Sequence, residues 1–350
     1  MNRHGVMTGG TWCVDRNLVV SSWPAENGFA AIEEELLCGG GSSYNMGANL
    51  KSLDPDLPVT TIGRVGEDAD GAFLIETAAA HGIDASGLKT IPDRRTDYTL
   101  AFASKDTGRR THISGFDAAK VLSPDDFDFS GSTARLFHLG LPGIHEVMDA
   151  PWRDEANGWA SVLAKARRAG LKTNMELVSI APERIAALIR PCLAHLDLLV
   201  VNDHEIGGLA GMQTVPDGAA DPTSCLKAAR HVLASGSCTV VVVHFPEGAI
   251  ATTADTVVAL PSVTVPAAAN KGANGAGDAF AAGFVYGWHE GWGLEESLRL
   301  AHAAAAASLR DITTTGAVEN WRTCLALAAD WGWRSDERLS LMGARAVGRS

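Results

Sequence analysis

The chain predicts an α/β fold: a mostly parallel sheet covered on both faces by helices, with a small β-sheet lid beside it. Three observations predict this. Short apolar runs alternate with helix-like segments over most of the length. One of them, Thr239–Val243, is apolar at four consecutive positions, as a strand buried on both faces must be. Two segments, about 16–38 and 95–116, break the alternation and carry few helix signals.

A first strand leads into Gly9-Gly10-Thr11-Trp12, and Met46–Leu53 is helical. Val59–Val65 is rich in β-branched residues; the helical run Asp70–His81 follows and ends at Gly82. Leu136–Leu139 is a short strand. Gly158–Arg168 is a helix closed by Gly170, and Lys172–Met175 returns as a strand. Leu198–Val201 is an apolar strand with a helix beginning near His204. Thr223–Ala234, Ala276–Glu290 and Leu294–Leu309 are helical. Asp97–Ser104, the turn Lys105-Asp106-Thr107-Gly108 and Arg109–Ser114 have the form of a hairpin. Paired with segment 16–38, it makes the separate sheet. The pattern fades beyond Leu327, which predicts one domain over 1–325 and a C-terminal helix or tail over 326–350, frayed from Arg334.

The length of 350 residues suffices for a sizeable core, and the 46% hydrophobic and 20% charged fractions are those of a soluble globular protein. A formal charge of −12 argues against nucleic acid as a partner, because no basic surplus exists to neutralise phosphates. No window reaches the roughly 18 apolar residues of a membrane span, and the N-terminus lacks the apolar core of a secretory signal. Six scattered cysteines form no C-x-x-C pair and read as reduced, which points to the cytoplasm.

Four constellations carry chemistry. In Gly272–Ala281, small residues run directly into a helix, so the amides of Gly275, Ala276 and Gly277 face an anion at its N-terminus. Asp278 then places a carboxylate beside an anion site, which makes sense where a hydroxyl loses its proton while attacking a phosphoryl group. A glycine-rich turn for close helix packing is the other reading. Asn202-Asp203-His204-Glu205 follows an apolar strand and suits either water-mediated Mg²⁺ binding or an ordinary helix cap. Gly39–Asn45 suits either a ligand held at Gly41 and Asn45 or a helix start capped by Ser42 or Ser43. Asp15 is either a hydroxyl acceptor or a turn aspartate. Tyr44 stands where G-x-G-x-x-G needs its third glycine, and G-x-x-x-x-G-K-[ST] is absent, so neither a dinucleotide fingerprint nor a P-loop is present.

Together these pieces resemble the ribokinase-like (PfkB) family of carbohydrate and nucleoside kinases over about residues 5–325. The resemblance rests on Gly40-Gly41-x-x-x-Asn45, Gly63-x-Val65-Gly66-x-Asp68-x-x-Gly71, Asn202-x-x-Glu205 and Gly275-Ala276-Gly277-Asp278-x-Phe280. It implies a three-layer α/β/α sandwich with a β lid, and transfer of the γ-phosphoryl of ATP, with Mg²⁺, to a hydroxymethyl group of a small sugar. By that resemblance Asp278 is the base and Gly275, Ala276 and Gly277 form the anion hole. Asp15, Gly41 and Asn45 hold the sugar. Asn202, Asn274, Gly277, His244 and Gly248 hold ATP, Glu205 orders Mg²⁺, and the helix at Ala303–Ser308 flanks the adenine. A homodimer through the lid is also implied. Three departures stand out. Gly272-Ala273 replace the usual Asp-Thr, which leaves activation by K⁺ open. His244-Phe245-Pro246 replaces the nucleotide-side Thr-x-Gly, and Ser42 replaces a lysine. Arg109 and Arg110 are the candidates for a second phosphate. A nucleoside kinase and a catalytically silent ligand-binding relative are the alternative readings.

Overall fold

A computed structural model describes residues 3–107, 110–178 and 180–346. The strands are β1 (Val6–Gly10), β2 (Cys13–Val20), β3 (Ile32–Gly40), β4 (Val59–Gly66), β5 (Asp84–Ile91), β6 (Asp97–Ser104), β7 (Arg110–Gly115), β8 (Leu136–Gly140), β9 (Lys172–Met175), β10 (Leu198–Asn202), β11 (Val240–Phe245), β12 (Gly248–Thr252) and β13 (Val257–Pro261). The helices are α1 (Ser42–Leu53), α2 (Ala69–Ala80), α3 (Glu146–Asp149), α4 (Gly158–Arg168), α5 (Pro182–Ile189), α6 (Asp203–Ala210), α7 (Pro222–Ala234), α8 (Ala276–Glu290), α9 (Leu294–Ser308), α10 (Trp321–Trp331) and α11 (Glu337–Ala346).

Nine strands form the main sheet in the order β13-β12-β11-β10-β9-β8-β1-β4-β5. From β11 to β5 all neighbours are parallel, and β12 and β13 add an antiparallel edge. The side-chain period of two divides the core. Leu199, Val201, Val241 and Val243 face α4–α7, while Leu198, Val200, Val240 and Val242 face α1, α2 and α8–α10. Burying an aliphatic side chain of this kind contributes about 1.5–3 kcal/mol, so these continuous apolar runs stabilise the sheet from both faces. This is the expected three-layer α/β/α sandwich.

The lid is a separate four-stranded sheet in the order β3-β2-β6-β7, close to the expected 16–38 and 95–116. Its strands run on from the main sheet: two residues join β1 to β2, and β3 ends where α1 begins. The lid therefore stands over the C-terminal end of β1. Gly108 and Arg109 of the expected hairpin turn lie outside the described residues.

Three strands escape the sequence reading. β5 buries only Leu88, so it shows no apolar run. β12 follows β11 after Pro246-Glu247 alone, and β13 follows β12 after four residues, so no helix marks either one. The C-terminus also needs correction. The expected boundary at 325/326 falls inside α10, whose Cys324 and Ala328 are buried in the core. The segment expected to fray contains α11, and its Leu339 is fully buried against the sheet edge. A Cβ built on Gly248 would lie 2.4 Å from Leu339 Cδ1, so the two surfaces are in close contact. Amphipathic burial of one side of a short helix leaves little trace in a stretch rich in Arg, Ser and Gly.

Leu339→Ala is therefore expected to destabilise the protein by about 2–4 kcal/mol, read as a lowered denaturant midpoint at unchanged slope. An unchanged midpoint would show that α11 contributes nothing to the fold.

Candidate active site

The N-terminus of α8 is built by Gly275, whose φ of +73° is left-handed. A Cβ there would lie 2.4 Å from the Thr314 carbonyl oxygen, so only glycine lets the loop run this close to residues 313–315. No side chain caps this helix. Among the described residues the amides of Gly275 and Gly277 find no acceptor, and that of Ala276 makes only a 3.4 Å bond to the Ala273 carbonyl. The N-terminus of α8 thus presents unsatisfied donors on a helix dipole.

Asp278 lies in the first turn of α8. Its Oδ2 accepts a hydrogen bond from Asn45 Nδ2 at 3.1 Å, and Asn45 Oδ1 accepts one from Thr314 Oγ1 at 3.0 Å. Asn45 thereby ties the N-terminal half of the chain to Asp278. Asp15 faces the same space from the lid. It is 8% exposed, and Cys13 Sγ donates to its Oδ1 at 3.4 Å. A Cβ on Gly40 would come within 2.3 Å of the Asp15 carboxylate, which explains the glycine at that position. Gly41 starts α1 at φ +86°.

Three further residues complete this half of the site, and the sequence reading missed them. Glu176 follows the C-terminal end of β9 and lies close enough to Asp278 for its charge to raise the proton affinity of that carboxyl. His138 Nε2 lies 3.1 Å from Ser42 Oγ and 3.2 Å from Glu176 Oε2. The hydroxyl takes the hydrogen bond, so Glu176 Oε2 is buried without one. His138 Nδ1 meets Asn174 Nδ2 at 2.9 Å. Glu176 had a legible signal, because it directly follows a predicted strand at the end where ligands sit. His138 lies inside a strand and had none.

The electrostatics are those of carboxyls without cations. Burial, reinforced by the Glu176 charge, holds the Asp278 carboxyl well above the usual range. Burial pushes Glu176, Asp15 and Glu205 each up to about 7. Burial also lowers His138 to about 4, so its ring is neutral at pH 7 and does not compensate them.

On the other side of Gly277 lies a cavity of about 480 Å³. Asn202, Asp203 and Gly277 line one part of it; His244, Phe280, His302, Val263, Ala305 and Ala306 are among the residues that line another. The expected flank of alanines on α9 is therefore in place. Asn202 Oδ1 accepts from the Glu205 amide at 2.8 Å, and Glu205 Oε2 from the Asn202 amide at 3.0 Å. That is a reciprocal capping box, so the cap reading of this stretch holds as geometry. Two expected nucleotide residues do not line the cavity. Gly248 opens β12 beneath Leu339, and Asn274 is not among the lining residues. Arg109 lies outside the described residues, so the expected second-phosphate pair is not tested.

The family model for pfkB carbohydrate kinases matches residues 13–321. The chain belongs to the pfkB family of carbohydrate kinases. An ATP-dependent ribose-1-phosphate kinase of Halopiger xanaduensis is 26% identical over 293 residues, covering 83% of this chain and 87% of the relative. An uncharacterized sugar kinase of Escherichia coli is 28% identical, covering 77% of this chain and 68% of the relative. Among solved structures, the ribokinase of Thermotoga maritima superposes with a TM-score of 0.75 at 19% identity, covering 93% of this chain and 99% of the other. The Arabidopsis thaliana ribokinase, complexed with ribose and ATP, gives 0.74 at 21%, with the same coverage. The pfkB protein described here is thus a sugar kinase, a phosphotransferase with an alcohol acceptor. No helix among the described residues is long and apolar enough to cross a membrane.

The raised carboxyls make a pH-dependent stability. Glu176 titrates near 7 in the folded state and near 4.5 when unfolded, so the folded protein binds the extra proton between those values. Stability from this group falls as pH rises through that window. Glu176→Gln is expected to raise the thermal midpoint of the ligand-free protein at pH 8, with the gain shrinking towards pH 5. A wild-type midpoint at pH 8 would remove the strain.

Proposed function

We propose that this kinase transfers the γ-phosphoryl group of ATP to a hydroxymethyl group of a small sugar, with Asp278 as the base. The observation that supports it is placement. One carboxyl, bonded to Asn45, stands in the first turn of α8 at the open helix amides, next to Gly277, which lines the cavity. Asp15, Gly41 and Asn45 hold the sugar hydroxyls under the lid. The attacking hydroxyl donates its proton to Asp278 as its oxygen bonds to phosphorus. The bond from phosphorus to the bridging oxygen breaks, and ADP leaves. The amides of Gly275, Ala276 and Gly277 meet the charge on the transferring group, where positioning and electrostatics do most of the work.

Mg²⁺ fits the donors on this side. They are carboxylate oxygens, with Glu176 Oε2 buried and unsatisfied and Glu205 directed to the strand end. Glu205 would hold the ion through water, and the bound ion supplies charge neutralisation to the phosphates. For the base, His302 supports adenine. Its ring is buried and neutral, one nitrogen serves the Leu260 carbonyl, and Nε2 is left without a partner on the cavity wall. That lone pair matches the exocyclic amine of adenine and opposes the O6 acceptor of guanine. Exposed Phe29, Ile32, Leu36 and Ile113 on the lid support a homodimer formed there.

Asp278→Asn is expected to lower kcat about 10²–10⁴-fold while ADP binding by calorimetry stays near wild type. Near-normal turnover would take the base role from Asp278 and favour a ligand-binding protein. Glu205→Gln should raise the Mg²⁺ concentration needed for half-maximal activity. An unshifted Mg²⁺ titration would leave Glu205 as a helix cap alone.

A further inference from the structure

Residues 332–346 lie beyond residue 321, where the family match ends, yet one of them, Arg334, lines the nucleotide cavity. Trp333 forms an antiparallel bridge to Val263. The Thr264 amide donates to the Gly332 carbonyl at 2.9 Å, and the Arg334 amide to the Ser262 carbonyl at 2.8 Å. Ser262 in turn bonds the turn after β11: its hydroxyl donates to the Pro246 carbonyl at 2.8 Å and its amide to the Glu247 carbonyl at 2.9 Å. The added segment is thus stitched to His244-Phe245-Pro246, where this chain departs from the nucleotide-side Thr-x-Gly. Leu339, fully buried, anchors it further along.

Arg334 sits on this seam. It is exposed, it lines the cavity, and among the described residues its guanidinium has no partner. Its surroundings contrast with this. Arg338 is paired with Asp336 at 2.8 Å, and Arg299 lies over the Trp333 ring at 5.4 Å. Trp333 meets His302 edge to face at 6.1 Å, which places the seam at the base end of the cavity, away from the Gly277 amides.

We propose that Arg334 binds the nucleotide, with its guanidinium closing over the ribose and base in place of the contacts the altered turn no longer offers. This rests on the kinase reading above. A planar guanidinium stacks on an aromatic base and donates to hydroxyls along its edge, which an ammonium does not do equally. The side chain has no partner among the described residues, so ordering it on binding offsets part of the gain.

Calorimetric titration of ADP into wild type, Arg334→Ala and Arg334→Lys tests this, together with KM for the sugar. The expected result is about tenfold weaker ADP binding in Arg334→Ala, close to 1.4 kcal/mol. Arg334→Lys should bind no better than twofold above Arg334→Ala, and the sugar KM should not move. Wild-type ADP affinity in Arg334→Ala would overturn the proposal. Full restoration by lysine would overturn it also, since bare charge would then suffice. A wild-type protein that binds no ADP would instead defeat the kinase reading itself.

Discussion

The site depends on one constraint: among the described residues the half-buried Asp278 carboxyl has an amide, not a cation, as its hydrogen-bonding partner. Asn45 supplies that amide, and Thr314 orients Asn45 from the other side. The position of α8 is then critical, and small residues set it. A Cβ at Gly283 would lie 2.8 Å from Ala301 Cα, and one at Gly287 2.6 Å from Ser297 Oγ. Helix α8 therefore lies flush on α9. One extra methyl group at this seam would push the helix and carry Asp278 and the open amides with it.

A desolvated carboxyl beside Glu176, with Asp15 and Glu205 also raised, is unfavourable for the fold. The same arrangement suits the proposed chemistry. A base with elevated proton affinity accepts a hydroxyl proton more readily than an exposed aspartate does. Like charges without a counter-ion also leave room for an incoming cation and for hydroxyl donors. The imidazoles around them, His138 and His302, stay neutral because they are buried, so they shape the site as hydrogen-bonding groups rather than as charges.

In the proposed reaction the two substrates meet different parts of the chain. The acceptor side is made by the lid, α1 and the strand ends, within the span that matches the family. The base end of the nucleotide cavity borrows a segment from outside that span. The turn after β11 and the C-terminal segment both bond to Ser262, so one residue holds the two together.

The sequence by itself determined the layered α/β fold, the lid and the anion cup. These follow from local patterns: apolar runs spaced by helices, an interrupted stretch of β segments, and small residues leading into an acid. Asp278, Asn45, Asp15 and Asn202 were legible for the same reason. Only the tertiary structure decided that Glu176 and His138 join them, because those residues come from adjacent parallel strands far apart in the chain. It also decided that Gly248 and Asn274 stand aside and that the last helix folds back over the sheet edge. Local pattern reports which face a residue presents; which distant element covers that face is decided only when the layers pack.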